Sequence, residues 1–149
     1  MREAIRQYFE SLAALFSSVQ VTDLGQGRVE LSHGLLTAVE LIAAQTAAGF
    51  KVIFIGNGGS AAIASHQAVD FWKNGGMRAV AFNDSSLLTC ISNDFGYPQV
   101  FAKPVEMFAD PGDVLVALSS SGRSENILSA VNTARKKECR VITMSGFAA

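Results

Sequence analysis

The sequence predicts an α/β fold: a doubly wound parallel sheet covered by helices on both faces, three layers in all, preceded by two N-terminal helices. Three observations carry this reading. Short, wholly apolar runs recur from Lys51 onward and alternate with segments of helical spacing, the pattern of a parallel sheet buried on both faces. Two of those runs lead into loops of small residues, Ile55-Gly56-Asn57-Gly58-Gly59-Ser60-Ala61 and Leu118-Ser119-Ser120-Ser121-Gly122-Arg123-Ser124, each followed by a helical pattern. The composition, 49% hydrophobic and 17% charged over 149 residues, is enough for one domain with a sizeable core and argues against disorder.

Residues about 2–19 place Ile5, Phe9, Leu12, Leu15 and Phe16 at helical spacing. Val21 to Arg28, with Thr22, Asp23, Gly25 and Gly27, reads as a loop. A second helix is expected from about Val29 to Ala48, stopped by Gly49 as the C′ glycine. These helices, within residues 1–48, precede the α/β core of 51–149 in a single domain. Their apolar stripes need cover, which a homo-oligomer supplies.

In the core, Val52–Ile55 is the first strand and Ser60 to about Trp72 a helix. Ala79–Phe82 is the second strand, closed by Asn83-Asp84 and followed by a short helix from Ser85 to Ile91. Gln99–Phe108 is helical, with Pro104 either kinking it or marking a first turn. Val114–Leu118 is the third strand. Ser124–Lys137 is a helix with Ile127, Leu128, Val131 and Ala134 turned inward, and Arg140–Met144 is the fourth strand. The chain then stops at Ser145–Ala149, at the edge where such sheets bind ligands. The expectation is a fragment, with a C-terminal segment beyond it.

Charge and cysteine content narrow the function classes. The net charge is −1 and no Lys/Arg-rich run stands out, which argues against nucleic acid as the main ligand. No apolar stretch reaches the ~18 residues of a membrane helix, and Met1–Arg6 mixes charges without a signal-peptide core. A soluble cytoplasmic protein is expected. Cys90 and Cys139 sit in apolar contexts and read as reduced core residues.

The two loops carry the chemistry. Small residues let backbone N–H groups approach an anion, and a helix N-terminus adds partial positive charge. Ser119, Ser120, Ser121 and Ser124 surround such a terminus with hydroxyl donors. One serine would suffice as a helix cap, so four within six residues point to phosphate. Gly56-x-Gly58-x-x-Ala61 also satisfies a dinucleotide fingerprint, with Asp84 near where a ribose-binding acid would stand. That reading leaves the second loop without a role. His66 and Asp70 stand four apart on one helix face, a spacing suited to joint metal ligation or acid–base work, or to a plain surface pair. Asp94, in the turn Asn93-Asp94-Phe95-Gly96-Tyr97, either accepts sugar hydroxyls or closes an Asx-type turn.

As an ordered set these motifs resemble the SIS (sugar isomerase) domain, a flavodoxin-like α/β fold, and more closely the phosphoheptose isomerases. The resemblance rests on Gly56-Asn57-Gly58-Gly59-Ser60, His66 with Asp70, Ser92-Asn93-Asp94-Phe95-Gly96-Tyr97, Pro111-Gly112-Asp113-Val114-Leu115 and Ser119–Ser124, over roughly residues 35–146. It implies isomerisation of sedoheptulose 7-phosphate to a heptose 7-phosphate through an enediolate, in a homo-oligomer, a tetramer by resemblance, with sites near subunit interfaces. It assigns Ser119, Ser120, Ser121 and Ser124 to phosphate, and Asn57, Gly58, Ser60 and Asp94 to the substrate. It makes His66 a zinc ligand and Asp70 both zinc ligand and catalytic base.

The sequence departs from that family in three places. Asp70 stands where the family has a glutamate, Arg123 replaces an asparagine, and the connection Lys73–Met77 is short. The remaining zinc ligands of the family, a glutamine and a histidine, come from a later helix. Zinc takes three or four protein ligands, so these 149 residues are expected to need a further segment for turnover. Two rival readings stand beside the isomerase: a non-catalytic SIS module that binds a sugar phosphate or a protein partner, and an NAD-binding Rossmann domain.

Overall fold

The computed structural model describes residues 1–25 and 27–146 and divides the chain into two units, Met1–Leu41 and Ile42 onward. In the first unit, α1 (Arg2–Ser18) has no buried residue. Its polar face is laced by Arg6 with Glu3 and Glu10. The expected loop at Val21–Arg28 is instead a two-stranded antiparallel ribbon, β1 (Val21–Thr22) with β2 (Arg28–Val29). Asp23 closes it by donating its N–H to the Gly27 carbonyl and accepting the Gly27 N–H on its carboxylate. Gln26, within that loop, lies outside the described residues, as do residues 147–149 of the expected chain end.

Helix α2 (Leu31–Ala47) starts after Glu30, whose carboxylate accepts the N–H groups of Ser32 and His33. It ends as expected at Gly49, with φ +91°. Gly49 N–H bonds the Thr46 carbonyl and Phe50 N–H the Gln45 carbonyl, the paired closure of a Schellman motif.

The second unit is built on four parallel strands in the order β4-β3-β5-β6: β3 (Val52–Gly56), β4 (Ala79–Ala81), β5 (Val114–Leu118) and β6 (Arg140–Met144). The central strands β3 and β5 are buried on both faces, hence their unbroken apolar runs. Alternate side chains serve two cores. Val52, Phe54, Val114 and Val116 pack with Ala64 and Ala68 of α3 (Gly59–Lys73) and with Ile42 of α2. On the other face, Ile53, Ile55, Leu115 and Ala117 pack with Val105 of α5 (Ala102–Phe108) and with Ile127, Ala130, Val131 and Ala134 of α6 (Glu125–Lys136). These are the three layers the sequence predicts.

Four local expectations change. Helix α4 (Ser85–Phe95) runs past Ile91, so Asn93 and Asp94 lie in its last turn, and Gly96 with φ +83° ends it. A 3₁₀ turn (Tyr97–Gln99) then precedes α5, which puts Pro104 in a first turn, where its missing N–H leaves no acceptor orphaned. Leu128 is 47% exposed rather than inward, because the buried stripe of α6 runs through Ile127, Ala130, Val131 and Ala134. Cys139 is buried but Cys90 is exposed, and both are free thiols.

Candidate functional site

The strand order reverses between β3 and β5, since β3 leads outward to β4 on one side and β5 to β6 on the other. Ligands of such sheets sit beyond the carboxyl ends at this switch point. The glycine loop and the serine loop leave those two ends.

The glycine loop turns tightly. A Cβ on Gly56 would lie 2.7 Å from the backbone carbonyl of Ser60, so only hydrogen fits there. Gly58, with φ +53°, takes a backbone conformation that side chains strain. The loop carbonyls of Asn57 and Gly58 then accept the N–H groups of Ser60, Ala61 and Ala62 and start α3. Asn83, at the end of β4, braces that first stretch: its Nδ2 donates to the Ala61 carbonyl at 3.0 Å and to Ser65 Oγ at 2.9 Å.

The serine loop closes through Gly122 N–H on the Ser119 carbonyl, with Gly122 at φ +66°. Ser119 Oγ lies 3.4 Å from Ser124 Oγ, and Ser121 Oγ accepts the Arg123 N–H at 3.2 Å. Ser124 is the N-cap of α6 but makes no side-chain cap bond, so its hydroxyl is not committed to capping. In the first turn of α6 the Ile127 N–H bonds the Ser124 carbonyl, while the N–H groups of Glu125 and Asn126, ahead of it, have no intrahelical acceptor.

A pair of side-chain hydrogen bonds joins the glycine loop to the start of α6, just after the serine loop. Asn57 and Asn126 exchange hydrogen bonds of 2.9 and 2.8 Å, and the Tyr97 hydroxyl donates to Asn57 Oδ1 at 3.0 Å. A cavity of about 410 Å³ opens here, lined by Asn57, Tyr97, Pro98, Ser124, Glu125 and Asn126. That is in the size range of small-molecule sites.

Of the expected site residues Asn57 and Ser124 line this cavity, and Gly58, Ser60, Ser119, Ser120, Ser121, Asp94, His66 and Asp70 do not. His66 Nε2 lies 3.3 Å from Asp70 Oδ2 on α3, with side chains 74% and 38% exposed. Asn74 Nδ2 donates to the other Asp70 oxygen at 3.1 Å. Asp70 stands eleven residues after Gly59, about 16 Å along the helix axis. Asp94 is exposed, accepting from Asn93 at 2.8 Å and from the Cys90 thiol at 3.6 Å, and its neighbour Tyr97 is the residue that reaches the glycine loop. Asp84, the acid of the dinucleotide reading, caps α4. Ser86 Oγ and the Leu87 N–H both donate to it and hold its carboxyl below the usual range.

Zinc finds an incomplete donor set. Among the described residues no group of three His, Cys, Asp or Glu side chains converges on a common point. His66 and Asp70 alone fall short of the three or four donors a zinc site takes.

Sequence reasoning overlooked Asn126, Asn83 and the role of Tyr97.

Residues 7–146 match the family model for the SIS domain. The chain belongs to the SIS domain family. A phosphoheptose isomerase from Sodalis glossinidius is 46% identical to this SIS domain over 114 residues, spanning 73% of the chain and 59% of that protein. One from Solidesulfovibrio magneticus is 39% identical over 144 residues, 91% of the chain and 71% of its own length. The structure of a phosphoheptose isomerase from Francisella tularensis superposes with a TM-score of 0.80 at 29% identity, covering 98% of the chain and 77% of the other. The SIS chain thus spans 59% and 71% of the length of these two curated relatives.

Proposed function

We propose that this SIS protein is a phosphosugar aldose–ketose isomerase that converts sedoheptulose 7-phosphate to D-glycero-D-manno-heptose 7-phosphate. The observation that carries the reading is the serine loop at the N-terminus of α6, tied side by side with the glycine loop at the sheet's switch point. Relatives named phosphoheptose isomerase support it.

In this reading Ser119, Ser120, Ser121 and Ser124, with the opening N–H groups of α6, receive the phosphate oxygens. The sugar extends toward Asn57, Gly58 and Ser60, and Asp94 accepts a hydroxyl. Isomerisation takes a proton from the hydroxyl-bearing carbon beside the carbonyl, passes through an enediolate, and returns a proton to the former carbonyl carbon. Asp70 is the proposed base. His66 and Asp70 are also proposed as two donors to a zinc ion whose other ligands lie outside the described residues. The assembly is proposed as a homotetramer, supported by the apolar stripe of Ile5, Phe9, Leu12 and Phe16 on α1, and the compartment as the cytoplasm.

A second reading, a binding module without turnover, draws on one observation: Asp70 stands eleven residues along α3 from Gly59, about 16 Å from the glycine loop, beside exposed His66 and Asn74. Turnover in D₂O separates the two. The isomerase reading predicts heptose 7-phosphate carrying deuterium at the carbon that accepts the proton, with Asp70→Asn slowing it at least about 100-fold. Phosphosugar binding with neither product nor exchange would establish the module instead.

A further inference from the structure

Asn57 and Asn126 complete each other's amides across 69 residues of chain. Asn57 Oδ1 accepts Asn126 Nδ2 and the Tyr97 hydroxyl, while Asn126 Oδ1 accepts Asn57 Nδ2 and the Ile127 N–H. A carboxamide oxygen has two lone pairs, so both oxygens are fully used. Asn126 is 2% exposed, so water does not replace a lost partner there. The Asn57 side chain is thereby held in place, with one Nδ2 hydrogen left to offer a ligand.

The place of this pair in the fold gives it a consequence. Asn57 directly follows the last residue of β3, and Asn126 is two residues past Ser124. The pair bridges the carboxyl ends of β3 and β5, and Tyr97 braces it from the segment after α4. Asn57, Asn126, Tyr97 and Ser124 all line the same cavity. A ligand with its phosphate on the serine loop and its hydroxyls on the glycine loop must match the separation that the pair holds. We propose that Asn57, Asn126 and Tyr97 form a clasp that sets the spacing of the two loops and thereby selects phosphosugars by their span. Asn126 and Tyr97 act as positioning residues, and the proposal rests on the phosphosugar reading of the site.

A clasp of this kind separates a spanning ligand from one that touches a single loop. Calorimetry on the whole protein compares sedoheptulose 7-phosphate with inorganic phosphate. In Asn126→Leu both bonds to Asn57 are lost at similar volume and with no charge added beside the phosphate loop. In Tyr97→Phe only the hydroxyl of a half-exposed side chain is removed. The expected result is phosphosugar affinity weakened about tenfold in Asn126→Leu and about threefold in Tyr97→Phe, with phosphate affinity weakened less than phosphosugar affinity in both. Should Asn126→Leu not fold, Tyr97→Phe, which keeps the amide pair, carries the comparison. Equal losses for both ligands in a folded variant, or no loss for either, overturn the clasp. A wild type that binds neither ligand removes the phosphosugar reading and this inference with it.

Discussion

The Lys51 ammonium lies 2.5 Å from the Asp113 carboxylate, at the amino edge of the sheet and opposite the two loops. Asp113 is 1% exposed and also accepts the backbone N–H of Lys51 at 2.9 Å and of Asp110 at 2.8 Å. One carboxylate thus joins the starts of β3 and β5, the strands whose far ends carry the site. Asp113→Ala leaves two N–H groups without their acceptor and Lys51 with Asp110 as its remaining partner. Two unsatisfied N–H groups cost about 2–6 kcal/mol, read as a lowered midpoint in urea unfolding. Asp110→Ala removes only the exposed partner of the cluster and should cost clearly less. Equal losses would show that Asp113 is not the centre of the cluster.

The same cluster makes stability depend on pH. Burial works to lower the Lys51 pKa, but hydrogen bonds to Asp110 and Asp113 outweigh it and raise the pKa above 10.5. A raised folded-state pKa means the contribution is complete below pH 10.5 and is lost as pH climbs through the folded value. The unfolding free energy of the wild type should therefore fall above pH 10.5 more steeply than that of Lys51→Met. Parallel curves in that window would remove Lys51 as the cause.

Gly56→Ala tests the turn that launches α3. Its Cβ meets backbone atoms of Ser60 at 2.7 Å, and these cannot swing aside as a side chain would. Overpacking of this kind costs about 1–3 kcal/mol, and the first turn of α3 must shift. A lowered Tm together with weaker phosphosugar binding is expected. Gly59→Ala, where a Cβ meets nothing within 4 Å, serves as the control that keeps both. Gly56→Ala with wild-type Tm would contradict the crowding.

Much of the architecture was readable because its causes are local. The wholly apolar runs of β3 and β5, the C′ glycine of α2 and the small-residue loops each announce themselves within a few positions. What escaped depended on partners far away or on patterns too short to repeat. Two-residue strands such as Val21–Thr22 have no periodicity to detect. The last turn of α4 is made of Ser92, Asn93 and Asp94, weak helix formers that run on until Gly96 stops them. In the site, the loops were visible, but the bonds from Asn57 to Tyr97 and Asn126 join segments 40 and 69 residues apart, which no local spacing encodes. His66 and Asp70 were correctly read as neighbours on one helix face. Their distance along α3 from the loops follows from helix rise alone, yet what faces them is a tertiary matter.

The most direct test of the phosphosugar site is a calorimetric titration of the whole protein with sedoheptulose 7-phosphate, repeated with Ser121→Ala. Saturable heat is predicted for the wild type. The loss of one hydroxyl from the serine loop should weaken the affinity by about 3- to 10-fold, as one hydrogen bond of roughly 1 kcal/mol implies. No binding by the wild type at millimolar ligand, or binding indifferent to Ser121→Ala, would contradict the assignment of that loop to the phosphate.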